Sequence, residues 1–369
     1  MKTKKCFENK KKNFDPCNQK GFSLIEVMMA MIIFLVFIGV VYGMLRVGTV
    51  DRNRASSRSD ILKNARMAVH LIGRDAFNAG LGFNRKGARV PDDFLKNAFK
   101  LKPDADNSRD LLTSIVSGDN LNSNTLLSDP NIKTDVIAFC TRDLAFNGGR
   151  TVEIKDVSVS GTSTARIQTK LINGAAPVNN YNLFLLESIN TQIAVIATGK
   201  SSDTVDFAPT DSLNLNQAYD GNGNNASILR KCSQLIVEDC TDYSATSMVK
   251  FELISYRIKE DGTLVRTVFG NNTSAGSGEQ IQEQLLAYNI EDLQISYVLK
   301  NGEVTTAPTA GPDGVVGTID DVESNNNLIR QINVMVRVQS TDIDEQTKKP
   351  LKITLNATYS TRNLAYDVK

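Results

Sequence analysis

The sequence predicts an α+β protein in which one long N-terminal helix packs on an antiparallel β-sheet head. Three observations carry that expectation. Residues 22–45 form an apolar run of 24 in which Glu26 is the only charge. Beyond it, Ile61, Ala65, Ala68, Ile72, Ala76 and Ala79 recur at steps of four and three, which places them on one face of a helix. From Phe251 onward apolar residues take every second position, interrupted at Asp261-Gly262 and Asn301-Gly302, dipeptides suited to hairpin turns.

The first 21 residues hold Lys2, Lys4, Lys5, Lys10, Lys11, Lys12 and Lys20 against Glu8 and Asp15, a net of +5. The whole chain is +1, so residues 22–369 sum to −4. A helix over residues 22–45 rises ~36 Å, enough for a hydrocarbon core of about 30 Å. The lysine excess keeps the end before it in the cytoplasm. It outweighs Arg46, Arg52, Arg54 and Arg58 beyond the run, which Asp51 and Asp60 partly offset. The body is therefore expected outside the cytoplasm. A secretory apolar segment is about 7–15 residues long and ends at a small-x-small site; this run is longer, and Arg46-Val47-Gly48 is a poor site. A plain anchor accounts for the length but leaves Glu26 unpaired in lipid, at about 2.5–3.5 kcal/mol. Its natural partner is a free α-amine at Phe22, which a cut after Gly21 would create.

The apolar stripe from Ile61 extends the helix to about Ala79, with Arg58, Lys63, Arg66, Arg74 and Asp75 mostly off it, and Gly80 and Gly82 end it. Residues 82–130 are rich in Asn, Asp, Ser and Gly and read as an irregular loop with short helical turns at most, such as 94–99. Strands are expected at 135–140, 152–159, 165–171, 184–189 and 193–197, then at 251–256, 264–269, 293–299, 332–338 and 353–359. The later strands alternate cleanly, so the sheet is expected to bury one face, with the helical stripe as its cover. Three parts follow: a leader over 1–21, a stem helix over 22–80 with its membrane segment at 22–45, and a β-rich head over 81–369.

Cys6 and Cys17 would leave with the leader, and Cys140, Cys232 and Cys240 remain. In an oxidising compartment two of the three are expected to pair. Cys232 with Cys240 closes the shortest loop; Cys140 with either is the competing assignment. The lone histidine, His70, falls opposite the stripe and reads as a solvated side chain, with no nucleophile elbow or acidic partner to make a hydrolase. No phosphate loop appears, and the net charge gives nucleic acid no evident footprint. Two acidic loops offer oxygen ligands, Asp220-Gly-Asn-Gly-Asn224 and the stretch holding Asp313, Asp320, Asp321 and Glu323. Neither has the EF-hand spacing, so calcium at the second competes with an ordinary solvated turn. No cofactor is required.

Gly21-Phe-Ser-Leu-Ile-Glu-Val27 resembles the class III signal of type IV pilins and type II secretion pseudopilins. The resemblance implies that a prepilin peptidase cuts after Gly21 and N-methylates Phe22, and that Glu26 sets subunit register during assembly. Residues 64–80, 286–297, 330–338 and 359–363 are similar to segments of PilW-type minor pilins; the second is also shared with J-type pseudopilins. A minor pilin of this kind would pass through the inner membrane, join other major and minor pilins and end in a fibre at the cell surface. It would assist pilus assembly and tip structure rather than catalyse a reaction. The alternatives are a secretion pseudopilin and a pilus-borne adhesin or DNA-uptake module.

Overall fold

The computed structural model describes residues 21–364 apart from 84–86, 92–93, 102–109, 161–163, 171–177, 188–191, 210, 217–244, 275, 317 and 319–320. Helix α1 spans Leu24–Asn78, and the chain groups into two compact units, Met1–Ser56 and Ser57–Lys369. In the first unit every residue from 24 to 49 is exposed. A soluble helix buries its apolar face; this one is apolar all round and bare, and it is long and apolar enough to cross a membrane.

Within the second unit the predicted stripe is the buried face of α1. Ile61, Ala65, Ala68, Ile72, Ala76 and Ala79 share a core with Phe139, Tyr256, Ile295, Val334 and Val336. Small alanines let the helix lie close to the strands. Closest of all is Gly73, where an added Cβ would fall 2.1 Å from the Tyr359 ring, and the Tyr359 hydroxyl donates to the Val69 carbonyl at 2.9 Å.

The strands are β1 (Ala88–Val90), β2 (Asp110–Leu112), β3 (Ile115–Asn122), β4 (Thr134–Arg142), β5 (Val152–Ser160) and β6 (Thr164–Thr169). Next come β7 (Leu183–Glu187), β8 (Gln192–Ile196), β9 (Gly199–Ser201), β10 (Thr204–Phe207), β11 (Ser247–Ile258) and β12 (Leu264–Phe269). The last are β13 (Ile281–Ala287), β14 (Ile290–Leu299), β15 (Val304–Thr305), β16 (Ile329–Ile343) and β17 (Pro350–Ser360). A short helix, α2, occupies Phe94–Phe99, as its sequence predicts. The rest of residues 82–130 corrects the expectation of an irregular loop, for it holds β1, β2 and β3. Ser117-Gly118-Asp119-Asn120 has little strand propensity of its own. β3 is extended because β4 supplies its ladder, with Ile115 opposite Phe139 and Ser117 opposite Ile137.

Four strands form an antiparallel sheet in the order β15-β14-β16-β17, and thirteen form a larger one. The larger sheet turns on β11. Its first residues, from Ser247, pair with β5 and β7, and residues 251–258 pair with β4 and β12. Ile254 and Tyr256 face the helix core, whereas Phe251 and Leu253 enter a second core with Phe83, Phe99, Leu185 and Phe269. β11 is thus buried on both faces, not the single face its alternation predicts. The additional cover is α2, Phe83 and β7–β8, which precede β11 in the chain. A third core gathers Val152, Ile167, Phe184, Val205, Phe207 and Met248. Both predicted hairpins form, with Gly262 and Gly302 at φ +78° and +87°, a region that glycine enters without strain.

Candidate functional site

The opening of α1 brings the sequence-predicted processing residues together. Residues 21–23 precede the helix, and Phe22 is 85% exposed, so the Gly21–Phe22 peptide bond is bare. An added Cβ at Gly21 meets nothing within 4 Å. The fold itself therefore makes no demand for glycine there. Ser23 starts the helix: its carbonyl accepts from the Glu26 and Val27 amides at 3.0 and 3.2 Å. Its own amide donates to Glu26 Oε2 at 3.0 Å.

That last bond is the glutamate half of a capping box, in which an N3 carboxylate satisfies an amide the helix leaves open. Ser23-x-x-Glu26 is legible as a capping box in the sequence, a signal the pairing argument for Glu26 passed over. The carboxylate also sits at the positive end of the helix dipole. Glu26 thus has a partner within its own chain while it waits, exposed, among apolar side chains.

A second carboxylate on α1 is treated oppositely. Asp75, read from the sequence as lying off the stripe, is buried. Arg74 Nε donates to Oδ1 at 2.9 Å, and Oδ2 accepts from the Tyr256 hydroxyl at 2.7 Å and Arg266 Nε at 3.1 Å. The hydrogen bond and charge of Asp75 raise the Arg74 pKa. Burial, then the Asp75 charge, push the Tyr256 phenol well up, so it remains a donor. Two cations and a phenol around one carboxylate make a structural lock between the helix and β11–β12, with no reactive group left over.

Asp135 bridges the two sheets. On β4, its Oδ1 accepts from the Asn120 amide at 2.8 Å, and its Oδ2 from the Ile295 amide of β14 at 2.6 Å. Burial raises its pKa to about 7 against those bonds, with Asp119 and Asp292 adding to the rise. Glu291 is buried against Lys352 Nζ at 2.5 Å.

The remaining sequence candidates are scattered. Cys140 is free and buried, and burial pushes its thiol up; Cys232 and Cys240 lie outside the described residues. His70 is exposed on α1. In the acidic loop, Asp313 Oδ1 accepts from the Val315 amide at 2.7 Å. Glu323 Oε2 accepts from the Leu111 amide at 2.5 Å, which ties the loop to β2. Asp320 lies outside the described residues. Among those described, no three His, Cys, Asp or Glu side chains converge as a metal site.

The family described as the prokaryotic N-terminal methylation motif matches residues 16–42, a stretch that contains Gly21, Phe22 and Glu26. No curated protein and no solved structure matches the chain. The match covers the signal and most of the bare apolar helix and stops before the head. At its N-terminus, then, this chain carries a prepilin-type methylation signal and is type IV pilin- or pseudopilin-like.

Proposed function

We propose that this chain is a minor pilin of a type IV pilus, a non-catalytic subunit that helps prime the fibre and build its tip. Prepilin peptidase cuts after Gly21 and methylates Phe22. The mature subunit waits in the inner membrane on the apolar half of α1, then joins other major and minor pilins in a fibre at the cell surface, where it serves adhesion and motility. One observation carries the reading: a bare Gly21–Phe22 bond directly before a helix whose first turn holds Glu26 and whose residues up to 49 are all exposed.

The chemistry follows from placement. In lipid, the Glu26 carboxylate attracts the Phe22 amine of an adjoining subunit, and pairing two charges there offsets much of their insertion cost. The PilW-type reading draws support from the head. The segments 286–297 and 330–338, likened to that group, lie mainly on β14 and β16, and 359–363 begins at the end of β17; the three are neighbouring strands of one sheet. A body this long also exceeds what a J-type pseudopilin needs.

Co-expression with a prepilin peptidase tests the proposal. Mass spectrometry is expected to find the mature chain beginning at methylated Phe22, and Gly21→Ala to keep the leader. Glu26→Leu is expected to be cut normally yet lost from complexes with partner pilins. An intact Met1, or a cut beyond Leu45, sinks the pilin reading. Normal co-purification of the Glu26→Leu protein removes the assembly role. Capture with secretion-system pseudopilins alone moves the chain to that machinery.

A further inference from the structure

Among the described residues, β17 ends the four-stranded sheet on one side and pairs with β16 alone. The Thr361 amide donates to the Arg330 carbonyl at 3.0 Å, in the same register that sets Ile332 opposite Tyr359. Bonded and unbonded pairs alternate along an antiparallel ladder. Ile353, Leu355, Ala357 and Tyr359 therefore direct their amides and carbonyls to β16, and Lys352, Thr354, Asn356, Thr358 and Ser360 turn theirs outward. No bond among the described residues reaches that outward row.

This edge lacks the devices that keep strands from pairing with other chains, namely short length, a bulge, a proline or a charge. Nine successive pairs, from Lys352 to Ser360, run without a shift in register, and residues 353–360 hold neither proline nor charge. Those nine residues present roughly 27 Å of edge. By contrast β15, at the other edge of the sheet, has two residues, and β13 carries Glu283 between Arg257 and Lys259. The core is open along the same edge. On β16, Ile332, Val334, Val336 and Val338 are at most 1% exposed. On β17, Ile353, Leu355, Ala357 and Tyr359 pack against that core and are only partly buried. Phe77 lies about 40° beyond Gly73 round α1, on the Tyr359 side, and is 46% exposed.

What fits is an extended segment with apolar residues at alternate positions, one face of which continues the core. A second copy of β17 fits poorly. Antiparallel pairing of two identical edges is two-fold symmetric and turns one copy's helix end for end against the other's, whereas subunits held in one membrane run the same way. We infer that the free edge of β17 takes up an extended segment of a neighbouring pilin as a fifth strand of the sheet. The neighbour's identity rests on the minor-pilin reading; the open edge stands without it.

Residue-resolved amide hydrogen exchange on the full chain in detergent tests this, with a synthetic peptide of residues 330–339 as probe, since its apolar alternation already lies against β17 from the other side. Before addition, the amides of Thr354, Asn356 and Thr358 are expected to exchange at least about tenfold faster than those of Leu355, Ala357 and Tyr359. The peptide should slow the first set by about tenfold or more and leave the second unchanged. A peptide of the same composition with helical apolar spacing should have no effect. Complexes with co-expressed partner pilins should protect the same three amides. Asn356→Pro removes an outward N–H and leaves the β16 ladder intact; it should abolish both effects while cleavage after Gly21 continues. Uniformly slow amides along β17 in the isolated chain, or no response to the peptide, overturn the open edge, and neither result depends on the variant folding. Protection that grows with the chain's own concentration assigns the edge to a second copy and overturns the neighbour. A complex that forms but leaves the three amides fast overturns the docking alone. A chain that joins no pilin at all overturns the minor-pilin reading, and the occupant with it.

Discussion

Three carboxylates illustrate how burial decides what a single residue does here. Glu26 is exposed and held by one amide, and so is free to change partners. Asp75 is buried against two guanidiniums and a phenol, and is fixed. Asp135 is buried with two amides and no cation, which makes it sensitive to pH. Its carboxyl is pushed up to about 7 by burial, so the folded chain takes up its proton more readily than the unfolded chain. The stability it contributes is fully present below the ordinary carboxylate range and is lost as pH rises through about 7. Asp135→Asn removes that titration and keeps one acceptor. Thermal or urea unfolding of the full chain in detergent is expected to show the variant less stable than wild type near pH 4. The gap should close or invert by pH 8, a change on the order of 3 kcal/mol. A difference that stays constant across that range would place the Asp135 proton outside the folding balance. None of this was legible in the sequence, where Asp135 is simply the first polar residue of an apolar strand.

At the scale of elements, α1 shows both what a sequence discloses and what it withholds. Its buried stripe, the α2 turn and both hairpin glycines follow from local spacing and turn chemistry. β3 and the two-faced burial of β11 depend on which strands arrive beside them, and no local pattern records that. Burial of Asp75 was hidden for the same reason: its partners, Tyr256 and Arg266, are 181 and 191 residues away in sequence. The helix also offers an internal comparison. Gly73 lies under the Tyr359 ring, whereas an added Cβ at Gly48 meets nothing within 4 Å. Gly73→Ala is expected to destabilise the head by about 1–3 kcal/mol through overpacking. Gly48→Ala, on the same helix, should be neutral or gain up to about 1 kcal/mol from helix propensity. Paired melting curves of the two variants in detergent check this, and equal effects would mean that the ring does not rest on the helix as described.

For the whole molecule, Asp135 to Ile295 ties β4 to β14, and the segments beside the strands add the Asn124 side chain to the Ile290 carbonyl and Ser117 of β3 to Asn326. Cys140, on β4, faces the second core beside Leu253 and Phe251, and its thiol is buried and held protonated. It is expected to react with a thiol reagent only when the head as a whole unfolds. Peptide mapping of the modified thiols across a urea gradient should give Cys140 the same midpoint as far-ultraviolet circular dichroism. Modification at lower urea would reveal a sheet that opens alone. The division of labour along β11 has a further meaning for descent. Among the described residues, the block from β5 to β10 pairs with β11 through residues 247–250 and holds a core of its own besides the Leu185 and Ala194 side chains it lends to the second core, while the strands beneath α1 join the rest of β11. Variation among relatives is therefore expected to gather on the parts of residues 152–207 that face away from β11, where it disturbs neither the stem nor the residues that lock it to the head.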